Sequence, residues 1–494
     1  MSFYSLYVFQ RRAGNPRSRL LVALAATALL AGCAAGRDDI RPSVSPLDAE
    51  RLDAERLDAG TAVAAAATDA GVPAPHEWWK DYADAQLDRL VAIALEQSPD
   101  LQIAAARIRR AQGDVDIVHA ADLPALDASA SIASERFSNN YGWGPYGGSW
   151  NTNNQILAEA NYRFDFWGKR RAQTLAAAAR MLAGRAEARD AALLLQTSLV
   201  DAYLRLDAAY RLRELAGRGL DSREQWQRLL EAKRGAGLSN DLDAAQLRIA
   251  VNETREAIAQ LDGEIDRLRR VLAALAGKDP AWAQSLAPPQ PALAPNPAPA
   301  SRLPARLLGE RPDVAAARAR VEAAARGIDA AKAAFYPDVD LSVFAGLQRL
   351  GLRDFASAGS FAAGIVPAIS LPIFDGGRRR GELTTRTAEY EAAAGEYNAV
   401  LLHALQDVAD AVSGLAVADR QRTLAQERAA EERRRLALQE MRARAQLASR
   451  IDLLGARIAT LLAERDATTA ELRVATSQVA LIRALGGAHS SHPL

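Results

Sequence analysis

Two kinds of periodicity alternate along the chain, and each occurs twice. From Ser98-Pro99-Asp100-Leu101, and again from Arg311-Pro312-Asp313-Val314, alanine-rich segments with apolar residues at helical spacing predict helices of about 25 to 30 residues. Pro99 and Pro312 suit a first helical turn, where a missing N–H costs nothing, and Asp100 and Asp313 complement the dipole. Both helices should stop at Pro124 and Pro337, which force the preceding residue into extended geometry. The period then changes to two. Ile156, Ala158, Ala160, Tyr162, Phe164 and Phe166 alternate with Leu157, Glu159, Asn161, Arg163 and Asp165, and Leu126 to Ile132 alternate with Asp127, Ser129 and Ser131. The connecting Ser138 to Asn154 is rich in Gly, Asn and aromatic residues, so the first half predicts a hairpin with a long tip. In the second half Val339, Leu341, Val343, Ala345 and Leu347 alternate with Asp340, Ser342 and Gly346, and Phe361 to Phe374 supplies the return strand. The expectation is four strands.

Helical periodicity resumes after Gly168 and Gly377 and continues, without a proline, to about Arg234 and Ala445. Roughly 68 residues at 1.5 Å each make a rod of about 100 Å, far beyond a compact domain. Each rod should turn and return as a helix over 238–276 and 447–486. The short and return helices of one half together match the long one, and stripes such as Leu193, Val200, Tyr203 and Leu204 suit packing between long helices.

The two halves are a repeat. Pro99 and Pro124 recur as Pro312 and Pro337 with the same separation, while Asp201-Ala202, Leu238 and Leu242-Asp243 recur as Asp410-Ala411, Leu447 and Ile451-Asp452 in a slightly shorter register. Hairpins of differing loop length would produce that shift. A Pro-rich linker, 288–304, separates the first repeat, 76–287, from the second, 305–487, and a short tail, 488–494, follows.

The N-terminus has the plan of a signal peptide. Arg11, Arg12, Arg17 and Arg19 precede the apolar Leu20 to Leu30, too short to span a bilayer, and Leu30-Ala31-Gly32-Cys33 follows. That sequence resembles the lipobox of bacterial lipoproteins, which implies cleavage after residue 32 and covalent lipid on Cys33, anchored at roughly 0.8 kcal/mol per buried CH2. Ala34 stands where Asp would be associated with inner-membrane retention. Residues 33–75, low in complexity, read as a tether.

Composition removes other classes. With 61 Lys+Arg against 60 Asp+Glu the net charge is +1, so a bulk electrostatic nucleic-acid binder is excluded. A single Cys provides neither an intrachain disulfide nor a multi-thiolate metal site. His76, His119, His403, His489 and His492 show no HExxH spacing, Asp375-Gly376-Gly377 is followed by no phosphate-binding fingerprint, and no convergent catalytic set is evident. The expectation is a non-enzyme without metal or cofactor, other than the lipid on Cys33.

Strands with an apolar and a polar face suit a membrane barrel, which must close so that no backbone edge meets hydrocarbon. Four strands cannot close, so copies must combine. Two chains would give eight strands with little lumen and three would give twelve with an aqueous bore; strand physics alone leaves both open.

Leu307-Leu308-Gly309-Glu310-Arg311-Pro312-Asp313-Val314, Ala334-Phe335-Tyr336-Pro337, Leu371-Pro372-Ile373-Phe374-Asp375-Gly376-Gly377-Arg378 and Val479-Ala480-Leu481-Ile482-Arg483-Ala484-Leu485-Gly486-Gly487, with Glu77-Trp78-Trp79 and Trp167-Gly168, resemble the TolC-like outer-membrane efflux family, in its lipidated OprM-like, NodT-type branch. The resemblance implies a mainly α fold with β. Each chain would supply four transmembrane β-strands and very long coiled-coil-like helices in two structural repeats, and a homotrimer would form a 12-stranded β-barrel continued by an α-helical tunnel across the periplasm. It also implies a passive exit duct in the outer membrane, working with a periplasmic adaptor (membrane fusion protein) and an inner-membrane RND-type transporter. A type I protein-secretion outlet is the alternative within the fold, with the lipobox arguing modestly against it. A periplasmic coiled-coil scaffold would explain the helices and anchor but not the paired strands.

Two groups of residues stand out. The turns at 235–240 and 446–450 should form the periplasmic mouth, where Asp241, Asp243, Arg450 and Asp452 would each recur around an axis and charged rings set selectivity. By resemblance Asp452 falls at a gate-region aspartate and Ile451 at an apolar constriction, while Gly455, Gln446 and Ala443 depart from the pattern of Asp, Gly and Tyr. The competing reading is that these charges are turn and capping residues. Lys169, Arg170, Arg171 and Arg378, Arg379, Arg380 begin helices just beyond the strands, where the dipole disfavours cations. Inner-leaflet phosphates of the outer-membrane lipid, or an ordinary solvated face, would accommodate them.

Overall fold

The computed structural model describes residues 40–47, 77–140, 144–236, 238, 240–292 and 311–487. The signal peptide, Cys33, the rest of the tether with His76, most of the Pro-rich linker, the start of the second repeat and the C-terminal tail lie outside the described residues.

The repeat is carried through to the element lengths. The first half runs α1 (Ala85–Gln97), α2 (Pro99–Ala120), β1 (Ala125–Arg136), β2 (Trp150–Phe164), α3 (Lys169–Gly235) and α4 (Asp241–Leu275). The second runs α5 (Pro312–Ala333), β3 (Asp338–Leu350), β4 (Phe361–Ser370), α6 (Arg378–Arg444) and α7 (Arg450–Ala484). α2 and α5 have 22 residues each, α3 and α6 67 each, and α4 and α7 35 each. The difference in register is absorbed in the hairpins, whose strands and tips differ in length between the halves. Several boundaries depart from expectation. α2 and α5 are shorter than 25 residues because the chain turns before Pro124 and Pro337. β1 and β2 continue into the polar tip, since backbone pairing holds from Ile132↔Asn154 to Arg136↔Trp150 after the apolar alternation has ended. β4 stops at Ser370, before Pro372, whose ring removes a donor.

By compactness the chain divides into two units. The first takes the described residues of 1–45, 111–181 and 319–395. Its sheet is an antiparallel meander in the order β1-β2-β3-β4. Residues directly opposite one another share a face. Leu126, Ala128 and Ala130 lie opposite Ala160, Ala158 and Ile156, which lie opposite Val343, Ala345 and Leu347, themselves opposite Ile365, Ala363 and Phe361. One face is therefore apolar across all four strands. The other carries Asp127 opposite Glu159, Arg163 ion-paired with Asp340, and Ser342 donating to Asn161 at 2.5 Å. Gly346 is obligatory on this face, because a Cβ there would lie 2.0 Å from the Ile156 carbonyl oxygen of β2. In the same unit Ile328 and Ala331 of α5 pack against Leu383 of α6, joined by Phe335, Tyr390 and Ile40. The tether thus has a docked portion, and Ser43 donates through both its backbone N (2.6 Å) and Oγ (2.7 Å) to Glu391 of α6.

The second unit takes the described residues of 46–110, 182–318 and 396–494. Its core gathers Trp78, Tyr82, Leu87, Leu90 and Val91 with Leu199, Val200, Tyr203 and Leu206 of α3, Leu268 and Leu272 of α4, and Val479 and Ile482 of α7. Each fully buried leucine here stabilises by about 1.5 to 3 kcal/mol. Asp84 locks the cluster: Oδ1 accepts from the Gln86 (2.8 Å) and Leu87 (3.3 Å) amides as the N-cap of α1, while Oδ2 accepts from Tyr203 Oη (2.7 Å) and the Gln290 amide (3.0 Å). Burial opposes its charge, but these hydrogen bonds prevail and hold its carboxyl below the ordinary range. Along the helices, positions seven residues apart pair repeatedly. Glu471 of α7 accepts from Arg211 of α3 (2.7 Å) and Gln426 of α6 (3.1 Å), and Glu464 accepts from Arg433 of α6 (2.9 Å) with Arg218 of α3 at 3.9 Å. This is coiled-coil spacing; such exposed pairs contribute little stability and instead fix helix register.

Candidate functional site

The helix ends in the second unit hold the residues expected at the channel mouth. At the first turn, Asn240 caps α4 by accepting from the Asp243 amide at 2.8 Å, and Asp241 ion-pairs with Arg234 at 3.2 Å. Residues 237 and 239 lie outside the described residues. Trp226, Leu230, Ala244 and Leu247 hold α3 against α4 beside this turn.

At the second turn α6 ends in a Schellman motif, with the Leu447 amide donating to Arg442 O (2.8 Å) and the Gln446 amide to Ala443 O (3.0 Å). Gln446 sits in the left-handed region at φ 58°, a conformation that glycine adopts without steric cost, and the repeat register aligns it with Gly237. Ser449 and Asp452 then form a capping box: Asp452 Oδ2 accepts from Ser449 N (2.9 Å) and Oγ (2.7 Å), and the Asp452 amide donates to Ser449 Oγ (3.2 Å). The Ser449 hydroxyl, then its amide, holds the Asp452 carboxyl below its ordinary range, with Arg442 and Lys233 adding attraction. The two turns of one chain are thus brought within electrostatic reach of each other. Ile451 is half-buried, Arg450 is exposed at the start of α7, and Gly455 lies against Trp226. Sequence reasoning missed Ser449, because a capping box with Asp rather than Glu at its fourth position is a weak signal.

A second site missed in the sequence surrounds Arg311. Its buried guanidinium donates to Asp313 through Nε (3.1 Å) and Nη2 (2.8 Å), to Asp407 (3.0 Å) and to the Ala484 carbonyl at the end of α7 (3.0 Å). Burial works against its charge, and the hydrogen bonds of Asp313 and Asp407 more than offset it. Asp190 faces the same cavity of about 650 Å³, and its carboxyl is pushed up by burial and by Asp313. The group joins the start of α5 to the end of α7.

In the first unit, acidic residues cap the helix starts that carry the basic clusters and engage some of their cations. Asp165 accepts from the Arg171 amide (2.9 Å), and Asp375 accepts from the amides of Gly377 (3.2 Å) and Arg379 (3.3 Å), so each long helix has an acidic cap before its cations begin. Arg170 donates to the Arg163 carbonyl at 2.5 Å and lies 3.8 Å from Asp122; Arg379 pairs with Asp375 at 2.9 Å. Among the described residues, no carboxylate pairs with Lys169, Arg171 or Arg378. Aromatic side chains border them. Tyr162 meets Phe164 edge to face and Phe164 stacks on Phe166, Trp167 stacks on Tyr336 at 4.6 Å while donating to Pro337 O at 2.8 Å, and Phe374 is 90% exposed.

Comparison with known proteins agrees with this architecture. The family model described as "Outer membrane efflux protein" matches residues 90–278 and 303–487. The chain is 37% identical over 375 residues to the fusaric acid resistance protein FusA of Burkholderia cepacia, covering 74% of this chain and 69% of that one. It is 28% identical over 488 residues to the multidrug resistance outer membrane protein MdtP of Escherichia coli K12, covering 97% and 98%. Among solved structures, the outer membrane protein VceC of Vibrio cholerae aligns with a TM-score of 0.76 at 33% identity, covering 84% of this chain and 99% of that one. The fold is that of the trimeric outer-membrane channels, mainly helical with a strand set. The chain belongs to the outer membrane efflux protein family.

Proposed function

We propose that three copies of this chain close their sheets into one twelve-stranded barrel and that the duct so formed is passive, receiving substrates from an inner-membrane RND-type transporter through a periplasmic adaptor. The chain is an outer-membrane channel component of a tripartite efflux pump. The observation that carries the closed-duct reading is the sheet, whose apolar face runs unbroken across four strands while β1 and β4 remain unpaired edges within the chain. Unpaired edges cannot stand in hydrocarbon, so copies must supply the missing partners. In this reading the energy for transport comes from the partner transporter, and the chain supplies the duct. Gating is assigned to the turns, with Asp241, Asp243, Arg450, Ile451 and Asp452 around the mouth, and lipid on Cys33 is the anchor. FusA and MdtP are named for resistance to fusaric acid and to multiple drugs, which supports small organic toxic compounds as cargo.

The test is export from cells that lack their own outer-membrane channel. Co-expression with an RND-type transporter and its periplasmic adaptor should restore drug efflux, and the chain alone should not. Efflux restored without any transporter, or a mature N-terminal peptide with an unmodified Cys33, would contradict the corresponding part of the proposal.

A further inference from the structure

We infer that Lys169, Arg171 and Arg378 form a docking surface for the anionic headgroups of inner-leaflet glycerophospholipids. The inference rests on the outer-membrane location of the sheet and goes beyond the duct itself. On the apolar face of the sheet, Leu126, Ile156, Ile365 and Ile369 are all more than half exposed. That face ends in the aromatic cluster of Tyr162, Phe164 and Phe166, with Trp167 and Phe374 just beyond the ends of β2 and β4. Aromatic side chains of this kind sit at headgroup depth in membrane barrels. The cations follow within a few residues in both repeats, so the same level of the molecule carries ring edges and positive charge.

The cations have no structural explanation in the helices they begin. A positive charge in a first turn is opposed by the dipole, and Asp165 and Asp375 already satisfy the helix amides. Arg170 and Arg379 are engaged by Asp122 and Asp375. Arg380 is engaged as well, and the other three of the six, Arg171 and Arg378 exposed and Lys169 half-buried, have no carboxylate partner among the described residues. A lipid phosphate supplies the missing counter-charge, and its acyl chains lie along the apolar face. The leaflet follows from topology: these residues lie where strands pass into the long helices, which is the periplasmic side of the family's channels.

The experiment uses the mature trimer reconstituted in nanodiscs of equal parts phosphatidylethanolamine and phosphatidylglycerol, re-extracted in mild detergent, with retained lipid quantified by mass spectrometry. Each basic side chain near a membrane surface accounts for roughly a fivefold preference for an anionic lipid. Retained lipid should therefore be enriched in phosphatidylglycerol at least roughly fivefold. The combined Lys169→Gln, Arg171→Gln and Arg378→Gln variant should fall to parity, and Arg248→Gln, an exposed cation on α4, should not change the ratio. Should the combined variant fail to assemble, the wild-type protein decides, since its enrichment must collapse in concentrated salt. Parity in the wild type, enrichment that survives concentrated salt, or full displacement by equimolar inorganic phosphate would overturn the inference, the last in favour of a free-anion site. Conductance of the same preparation reports the channel reading separately.

Discussion

Replacing Arg311 tests whether its buried guanidinium fastens the second repeat together. The side chain is 9% exposed, forms a two-point fork with Asp313, and also reaches Asp407 and the Ala484 carbonyl. Arg311→Met preserves most of the volume, yet it strands two carboxylates and a carbonyl around a site shared with Asp190. Because the guanidinium is buried while Asp313 and Asp407 keep 32% and 55% of their side-chain exposure, breaking the group from one side should cost about 3 kcal/mol, the low end for buried pairs. Arg311→Lys retains charge but loses the fork, for a cost of roughly 1.5 to 3 kcal/mol. Asp407 is 55% exposed, so Asp407→Asn should cost at most about 1 kcal/mol. The assay is denaturant unfolding of the mature protein in detergent, followed by the helical circular dichroism signal, with trimer mass checked on the same sample. The sign of the pH effect is also fixed. Asp190 has its folded-state pKa raised by burial and by Asp313, so its charge opposes folding above that pKa and the penalty is relieved as pH falls through it. The deficit of Arg311→Met should accordingly shrink on mild acidification. A variant within about 0.5 kcal/mol of wild type, or an Asp407→Asn variant as costly as Arg311→Met, would refute this reasoning.

Three other outcomes follow from the same geometry. Asp452→Ala, which removes both the capping box and its charge, should raise single-channel conductance; Ser449→Ala should reproduce most of that change if the cap holds the turn, and unchanged conductance in both removes the turn from gating. Gly346→Ala should abolish trimer assembly, because the added Cβ collides with the backbone of β2, and a normal yield of heat-resistant trimer would contradict the sheet register. Asp84→Asn should destabilise the protein at neutral pH; the wild-type carboxyl is depressed in the fold, so its contribution is present above the unfolded value of about 3.9 and is lost as pH falls through the folded value. The difference between the two proteins in an acid-unfolding titration should therefore close at low pH, and a gap that persists there would count against the lock.

Much of the architecture is written in punctuation and period. Pro99, Pro124, Pro312 and Pro337 bracket helices, Gly168 and Gly377 precede the rods, and the change from helical spacing to strict alternation marks four strands, all of which reappear in the structure. Alternation marks a strand only where its two faces meet different surroundings, so the continuation of β1 and β2 into a polar tip, held by backbone pairing and by polar side chains such as Arg136 donating to Gly148 O, is not visible in it. The site residues were legible in type and less so in role. Asp452 was read as a gate residue or a cap, and the geometry gives it a cap partner, Ser449, that sequence had not singled out. The local pattern does not mark Asp165 and Asp375 as the groups that quiet the helix starts, and where the sequence offers lipid phosphate or solvent for Arg170 and Arg379, the structure engages them with Asp122 and Asp375. Arg311, Asp84 and Tyr203 depend on partners around a hundred or more residues away, which no local pattern encodes.

The central claim is that this chain assembles into an open-ended conduit. The most direct measurement is single-channel conductance of the purified mature protein in a planar bilayer, with the oligomer mass determined on the same sample. The account predicts discrete, long-lived conductance steps from a trimer, increased by Asp452→Ala. A folded monomer or dimer that never conducts, with or without that substitution, would contradict it.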